Sequence, residues 1–348
     1  MTHPYQGLPP SSNWRKSVAS IHPDDVDPVV SVPFTLSPQD RIATAGSCFA
    51  QHIARNLSSS GYHYLVTEDG DPDRNYQVFP ARFGNIYTPR QLVQLFQRAY
   101  GLFVPIDDVW TREDGKFVDP FRPQVEPGGF TSADELRADR DAHLAAVRAM
   151  FDTADVFVFT LGLTEGWISK LDGAVFPLAP GVAGNPANFE DYEFHNFDVA
   201  EMIADLRTFT RYVRTINPSL RMVFTVSPVP LVATYEKKHV LVATTYSKSA
   251  LRVVAEHATQ ADPLSVYFPS YEIITGPQSR HRYLAEDLRE VTNEGVAHVM
   301  RIFGRHFFSS SGGTASNKPR PRPVDTQKAE REMRNIEAVV CDEEALDA

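Results

Sequence analysis

The stretch 155–162, DVFVFTLG, is apolar at both alternating sets of positions. A strand with one wet face alternates apolar with polar, so this pattern needs cover on both sides. That is the situation of an interior strand in a parallel sheet flanked by helices. Three other short segments share it: RIATAG (41–46), MVFTVS (222–227) and SVYFPS (265–270). Helical patterns separate them. Phe49, Ile53 and Leu57 recur at helical spacing directly after the first. Pro89 opens PRQLVQLFQRAYG, and Ser132 with Glu135 has capping-box spacing ahead of a helix to about Phe151. Further helices are expected over 198–216, closed by Asn217-Pro218, over 246–259 and over about 293–307. Buried strands alternating with helices predict an α/β fold, a doubly wound parallel sheet with helices on both faces.

Weaker signals fill in the rest. Residues 62–66 (YHYLV) alternate enough to offer another strand, and WISKLDGAVFPL reads as a hairpin turning at Asp172-Gly173. The proline- and aromatic-rich stretch 102–130 reads as an ordered decoration with little regular structure. Domain organisation follows: an extended arm over 1–35, a single α/β domain over 36–308, and a flexible charged tail over 309–348 with a fragment of helix near 327–340.

Composition narrows the function. Hydrophobic residues at 42% and aromatics at 11% suffice for a sizeable core. With 34 Lys+Arg against 44 Asp+Glu, the net charge of −10 gives no basic surplus for phosphates, so nucleic acid is not an expected partner. No apolar run approaches the ~20 residues of a membrane span, and the start lacks the apolar stretch of a signal peptide. Two cysteines, Cys48 and Cys341, make neither a disulfide framework nor a cysteine zinc cluster, so no metal site and a cytoplasmic setting are expected. The chain carries no GxxxxGK[ST], no GxGxxG after a strand and no HExxH. Nucleotide hydrolysis, dinucleotide binding and zinc peptidase chemistry are therefore disfavoured.

Ligands of open α/β sheets bind beyond the carboxyl ends of the strands. The unusual polar residues fall there: Gly46-Ser47-Cys48, Gly162-Leu163-Thr164-Glu165, Ser227-Pro228 and Ser270-Tyr271-Glu272. Cys48 is placed at a helix N-terminus, where free amides and the helix dipole favour a thiolate and can hold an oxyanion. Ser47 is the competing nucleophile. Cys341 lies in the acidic tail and is expected to be inert. Of the histidines, His52 stands one helical turn after Cys48, and His239 precedes VLVATTYSKS; these two rank ahead of His195, His257 and His298 as a base. Glu165 is a candidate acceptor holding the site loops, Lys248 a partner for Glu272 or a substrate anion, and Trp167 and Tyr271 candidate stacking surfaces. Arg82, Arg122 and Arg282 are open between anion binding and structural ion pairs.

Gly46-Ser47-Cys48-Phe49-Ala50 resembles the motif of the bacterial GSCFA family, as do GNIYTP (84–89), TLGLTEGW (160–167), TVSPVP (225–230), YSKS (246–249) and YFPSYEI (267–273), over roughly 35–305. That family is in turn distantly similar to the SGNH/GDSL esterases and acyltransferases, which implies a flavodoxin-like sheet. The same resemblance puts Cys48 in the nucleophile's position, Gly84 followed by Asn85 in the oxyanion block, and Thr164 where the third block has asparagine. The last block, Asp-x-x-His, becomes Asp287-Leu288-Arg289-Glu290, with Glu290 where the histidine belongs. A thiol needs a base less than a serine does, so the cysteine and the missing histidine are consistent with each other.

The expected function is an SGNH-like acyl esterase or O-acyltransferase that uses Cys48 on an ester or thioester. A small molecule or a carbohydrate is the expected substrate, with acyl-CoA or another acyl donor as co-substrate and no resident cofactor. The alternative is a non-catalytic ligand- or glycan-binding protein on the same scaffold. Thiol redox sensing ranks last, because Cys48 has no neighbouring resolving cysteine.

Overall fold

The computed structural model describes residues 3–309 and 342–346. In chain order the strands are β1 (Ile42–Gly46), β2 (Trp110–Thr111), β3 (Phe117–Val118), β4 (Val156–Leu161), β5 (Glu165–Ser169), β6 (Val175–Phe176), β7 (Tyr192–Asn196), β8 (Arg221–Val226) and β9 (Ser265–Tyr267). The helices are α1 (Phe49–Ser59), α2 (Pro89–Ala99), α3 (Ala133–Thr153), α4 (Val199–Ile216), α5 (Val240–Ala261), α6 (Ser270–Thr275) and α7 (Asn293–Phe307).

The central sheet is parallel, in the order β1-β4-β8-β9. Every residue of β4 is buried, as a doubly covered strand requires. Alternation sorts the two faces. Phe157, Phe159 and Leu161 join Met222, Phe224 and Val226 in a cluster with residues of α2, α3, α4 and α5. Val156, Val158 and Val223 join a second cluster with Phe49, Ile53 and Leu57 of α1 and Val299, Phe303 and Phe307 of α7. Residues 62–66, expected as a strand, contribute one parallel bridge, Tyr64 to Ile42. The Ile42 amide donates to His63 O at 3.0 Å, and Leu65 N donates back to Ile42 O at 2.9 Å. This segment flanks β1 on its free edge, so the spatial order is that of a flavodoxin-like α/β sheet.

Several boundaries differ from the sequence pattern. Helix α5 starts six residues before the expected 246, because His239 caps it: its Nδ1 accepts from Leu241 N at 3.2 Å. Strand β9 stops at Tyr267, and Ser270-Tyr271-Glu272 opens the short helix α6. Ser132 caps α3 by accepting from Glu135 N at 3.1 Å, but the reciprocal bond is missing, since Glu135 accepts from Thr131 instead. Complete capping boxes form instead at Thr88 and Gln91, at the head of α2, and at Asp198 and Glu201, at the head of α4. The hairpin β5–β6 turns at Gly173 as expected, and β7 pairs on its other side to make a small antiparallel sheet. The arm contains short helical turns, and Asp27 pairs with Arg305 and His306 of α7. Residues 310–341, with Cys341 and the helix expected near 327–340, lie outside the described residues. Asp342–Leu346, expected within the flexible tail, instead forms a 3-10 turn with Asp342 and Glu343 buried.

Gly46 ends β1 at φ +133°, and a Cβ there would collide with the Thr160 backbone. Gly173 is also at positive φ, +75°, but faces open space. Replacing Gly46 by alanine is expected to cost at least about 3 kcal/mol in urea unfolding, whereas Gly173→Ala costs only the backbone strain of about 1–2 kcal/mol.

Candidate active site

The glycine at the end of β1 allows three chain segments to meet. Ser47 N donates to Thr160 O at 3.1 Å, Ile86 N to Gly46 O at 2.8 Å, and Gly162 N to Tyr87 O at 2.9 Å. Loop 84–88 is thereby laced across the carboxyl ends of β1 and β4. Gly162 is held close as well, since a Cβ on it would lie 3.0 Å from Ser47 Cβ and from the Tyr87 ring.

Cys48 is the residue that caps α1, and it is 4% exposed. Its amide has no acceptor among the described residues, and neither has the amide of Gly84, which sits at φ +71°. Orphan amides at a helix start are the donors an oxyanion needs. The hydroxyls of Ser47 and Thr164, both buried, also lack partners among the described residues. Thr164 is anchored through its backbone: its N–H donates to Ser247 Oγ at 3.2 Å, and its carbonyl accepts from Phe197 N at 2.8 Å.

The basic group at this edge is Lys248, which is 1% exposed. It stands on α5, and Nζ donates to Gly162 O at 2.7 Å. Burial lowers its pKa to about 8, against the opposing attraction of Glu343 and of the Cys48 thiolate. An amine at this pKa is available as a base near neutral pH. The sequence pattern offered Lys248 only as a partner for Glu272 or a substrate anion. In the structure Glu272 pairs with Arg252 at 3.1 Å and accepts from the Tyr267 hydroxyl at 2.8 Å.

The histidines are elsewhere. No imidazole hydrogen-bonds Cys48 among the described residues. His52 packs its ring on Phe49, 5.6 Å between centroids, and burial with Arg55 nearby lowers its pKa to about 4. His239 is exposed and spends Nδ1 on its capping bond. His195 meets Glu201 at 3.0 Å, and His298 meets the Tyr283 hydroxyl at 3.2 Å. Asp287 and Glu290 are both exposed: the Asp287 carboxylate closes its own turn by accepting from Arg289 N and Glu290 N, at 2.9 and 3.0 Å. That turn, with Leu288 at φ +56°, sends Arg289 inward instead. Glu165 accepts from Thr234 Oγ1 at 2.6 Å and from Tyr235 N at 3.3 Å, so it fastens the loop after β8. Tyr271 packs against the core. Arg82, Arg122 and Arg282 are engaged with carboxylates: Arg82 with Glu126 and Asp139, Arg122 with Asp119 and Asp139, Arg282 with Asp24 and Glu294.

The chain's far end reaches the same edge. Asn85 Nδ2 donates to Asp342 Oδ2 at 3.1 Å, and Asn85 Oδ1 accepts from Gln51 Nε2 at 3.4 Å. Glu343 approaches Arg289 Nη2 at 3.4 Å. Burial pushes Asp342 up to about 6, against its hydrogen bonds from Asn85, and raises Glu343 as well, against the attraction of Arg289 and Lys248. Among the described residues, no group of three or more His, Cys, Asp or Glu side chains is arranged to hold a metal ion, and no helix is long and apolar enough to cross a membrane.

Fold and site together define an α/β protein with a doubly wound parallel sheet and a cysteine at the head of its first helix. Residues 41–303 match the model of the GSCFA family, and the chain belongs to that family. No curated protein matches it.

The buried acids carry a pH signature. Asp342 binds more proton in the folded chain than in the unfolded one between its ordinary 3.8 and about 6. Its contribution to stability is therefore greatest below that window and falls as pH rises through it. Asp342→Asn removes this slope, so urea midpoints from pH 4 to 7.5 should show the variant gaining on the parent, by at most on the order of 3 kcal/mol. A parallel pair of curves would refute the assignment.

Proposed function

We propose that the protein is an acyl esterase or O-acyltransferase of SGNH-like design in which Cys48 is the nucleophile. The observation that supports this reading most directly is the cysteine among orphan donors, the Cys48 and Gly84 amides and the Thr164 hydroxyl, with a buried lysine acting on it electrostatically. Lys248, in its neutral form, takes the Cys48 proton. The thiolate attacks the ester or thioester carbonyl, forming a C–S bond, and the carbonyl oxygen becomes an oxyanion facing the free donors. Collapse breaks the bond to the leaving alkoxide or thiolate, which receives the proton from Lys248. Water or a substrate hydroxyl, a sugar hydroxyl in the carbohydrate version, then attacks the thioester carbonyl and gives its proton to Lys248. The C–S bond breaks, the acyl group leaves as acid or ester, and the sulfur takes the proton back to restore the thiol.

In this scheme Lys248 does the work that the missing histidine does in serine relatives. A lysine whose pKa burial has lowered to about 8 suits the task, since its neutral form is populated near neutral pH. The aromatic group of Trp167, Phe194 and Tyr235, with ring centroids 5.1–6.2 Å apart, lies beside Glu165 and its loop and offers stacking area for a ring-shaped acceptor.

Incubation with 4-nitrophenyl acetate should give an acetyl adduct on Cys48 by intact-mass and peptide analysis, absent in Cys48→Ala. Lys248→Met should slow its formation about 100-fold at pH 7.5, in the range of general-base effects. His52→Gln and His239→Gln should stay within about twofold of the parent, because neither ring bonds the thiol. Undiminished turnover in Cys48→Ala would favour Ser47 as nucleophile. Tight glycan or ligand binding with no adduct at all would favour the non-catalytic scaffold.

A further inference from the structure

Two carboxylic acids adjacent in sequence are buried against the candidate site, Asp342 at 1% and Glu343 at 7% exposure. Acids are seldom buried unless partners compensate for lost hydration. Here the compensation comes from residues of the site rather than from the segment's own surroundings. Asn85 gives Asp342 its side-chain amide and its backbone N–H, Arg289 reaches Glu343, and Lys248 attracts it from α5. These groups come from three separate parts of the fold, the loop before α2, helix α5 and the turn before α7. A cavity of about 30 Å³, lined by Gln51, Arg82, Gly84 and Asn85, opens directly against Asp342.

The fit is imperfect in an informative way. Glu343 is raised further by the neighbouring Asp342 carboxylate, and the Arg289 Nε has no acceptor among the described residues. A segment selected only to complete a core would use apolar side chains, which replace buried ion pairs at no loss of stability. Acids at this position therefore answer the chemistry of the site.

We infer that Asp342–Leu346 is a built-in competitor that fills the subsite of an anionic substrate, with Asn85, Lys248 and Arg289 as the groups that recognise its carboxylates. The occupancy rests on the burial of the two acids and their contacts with Asn85 and Arg289; only the identification of the displaced ligand as an acyl substrate bearing a carboxylate rests on the acyl reading. While the segment is seated, Glu343 attracts the Lys248 charge, and Cys48 is 4% exposed. Release frees the lysine and opens the sulfur, and an acidic substrate takes the vacated donors.

The test uses the full chain and a neutral thiol reagent, so it needs no acyl chemistry. Alkylation of Cys48 by iodoacetamide at pH 7.5 is followed by peptide mass mapping, which separates it from Cys341. Full-length Asp342→Ala/Glu343→Ala should react at Cys48 at least tenfold faster than the parent. Arg289→Gln, which removes the same contact from the opposite side, should also accelerate it, and it carries the test if the double variant does not fold. A synthetic Asp-Glu-Glu-Ala-Leu peptide at millimolar concentration should slow the double variant again, or Arg289→Gln to a lesser degree, while Asn-Gln-Gln-Ala-Leu should not. Rates within twofold of the parent in the folded variants, or equal protection by both peptides, overturn the inference. Accelerated alkylation with no acyl adduct in the released variant supports the occupancy and counts against the acyl reading, so the two failures are distinguishable.

Discussion

Two backbones meet at the carboxyl end of the central sheet with no side chain between them, and the candidate site depends on that meeting. Gly46 at positive φ lets β1 end against Thr160, and Gly162 leaves room for Ser47 and Tyr87. A Cβ at Gly46 would run into the Thr160 backbone, and one at Gly162 would press on Ser47 and on Tyr87, whose carbonyl accepts from Gly162 N. Cys48 heads α1 only because the chain can turn so sharply after β1. The free amides at Cys48 and Gly84 follow from the same turn. Helix starts leave donors without intrahelical acceptors, and glycine loops add others that no ladder can use.

A second constraint is the shortage of water around charged groups at this edge. Lys248 and Glu343 are close enough to attract each other, yet burial draws both toward their neutral forms. That outcome matters for chemistry. A fully charged ion pair would hold the lysine as ammonium, whereas a lysine with its pKa near 8 exchanges protons at physiological pH. The other buried charges of the domain behave differently. Asp119 is engaged by Arg122 and Arg140 and held far below the usual carboxylate range, which is how a structural ion network looks. The contrast separates groups that lock the inserted loops from groups left adjustable at the strand ends.

Much of this architecture was legible in the residues. The doubly apolar segments 155–162 and 222–227 became β4 and β8, and the strand–turn–helix around Cys48 formed as its pattern requires, because burial on both faces and helical spacing are local records of a global environment. Local pattern misled where tertiary partners decided. Residues 62–66 have one neighbour to pair with and make one bridge. The start of α5 was hidden because VLVATT is rich in β-branched residues that suit a strand equally well, and only the His239 cap marks it. Asp287 and Glu290 look like a degenerate catalytic block in sequence, but the backbone turns Arg289 inward in their place.

Spacing along continuous stretches of chain was enough to give the layered α/β frame and to place Cys48 at the head of the first helix. Tertiary packing alone set the Lys248 charge against that cysteine electrostatically, left the thiol without an imidazole hydrogen bond among the described residues, and brought Asp342 and Glu343 back to the same edge. These groups are far apart in the chain, and nothing in their neighbours' pattern encodes the meeting. What brings them together is the packing of helix α5, the turn before α7 and the chain's far end against one sheet. The electrostatic environment that changes their protonation exists only once that packing has excluded water.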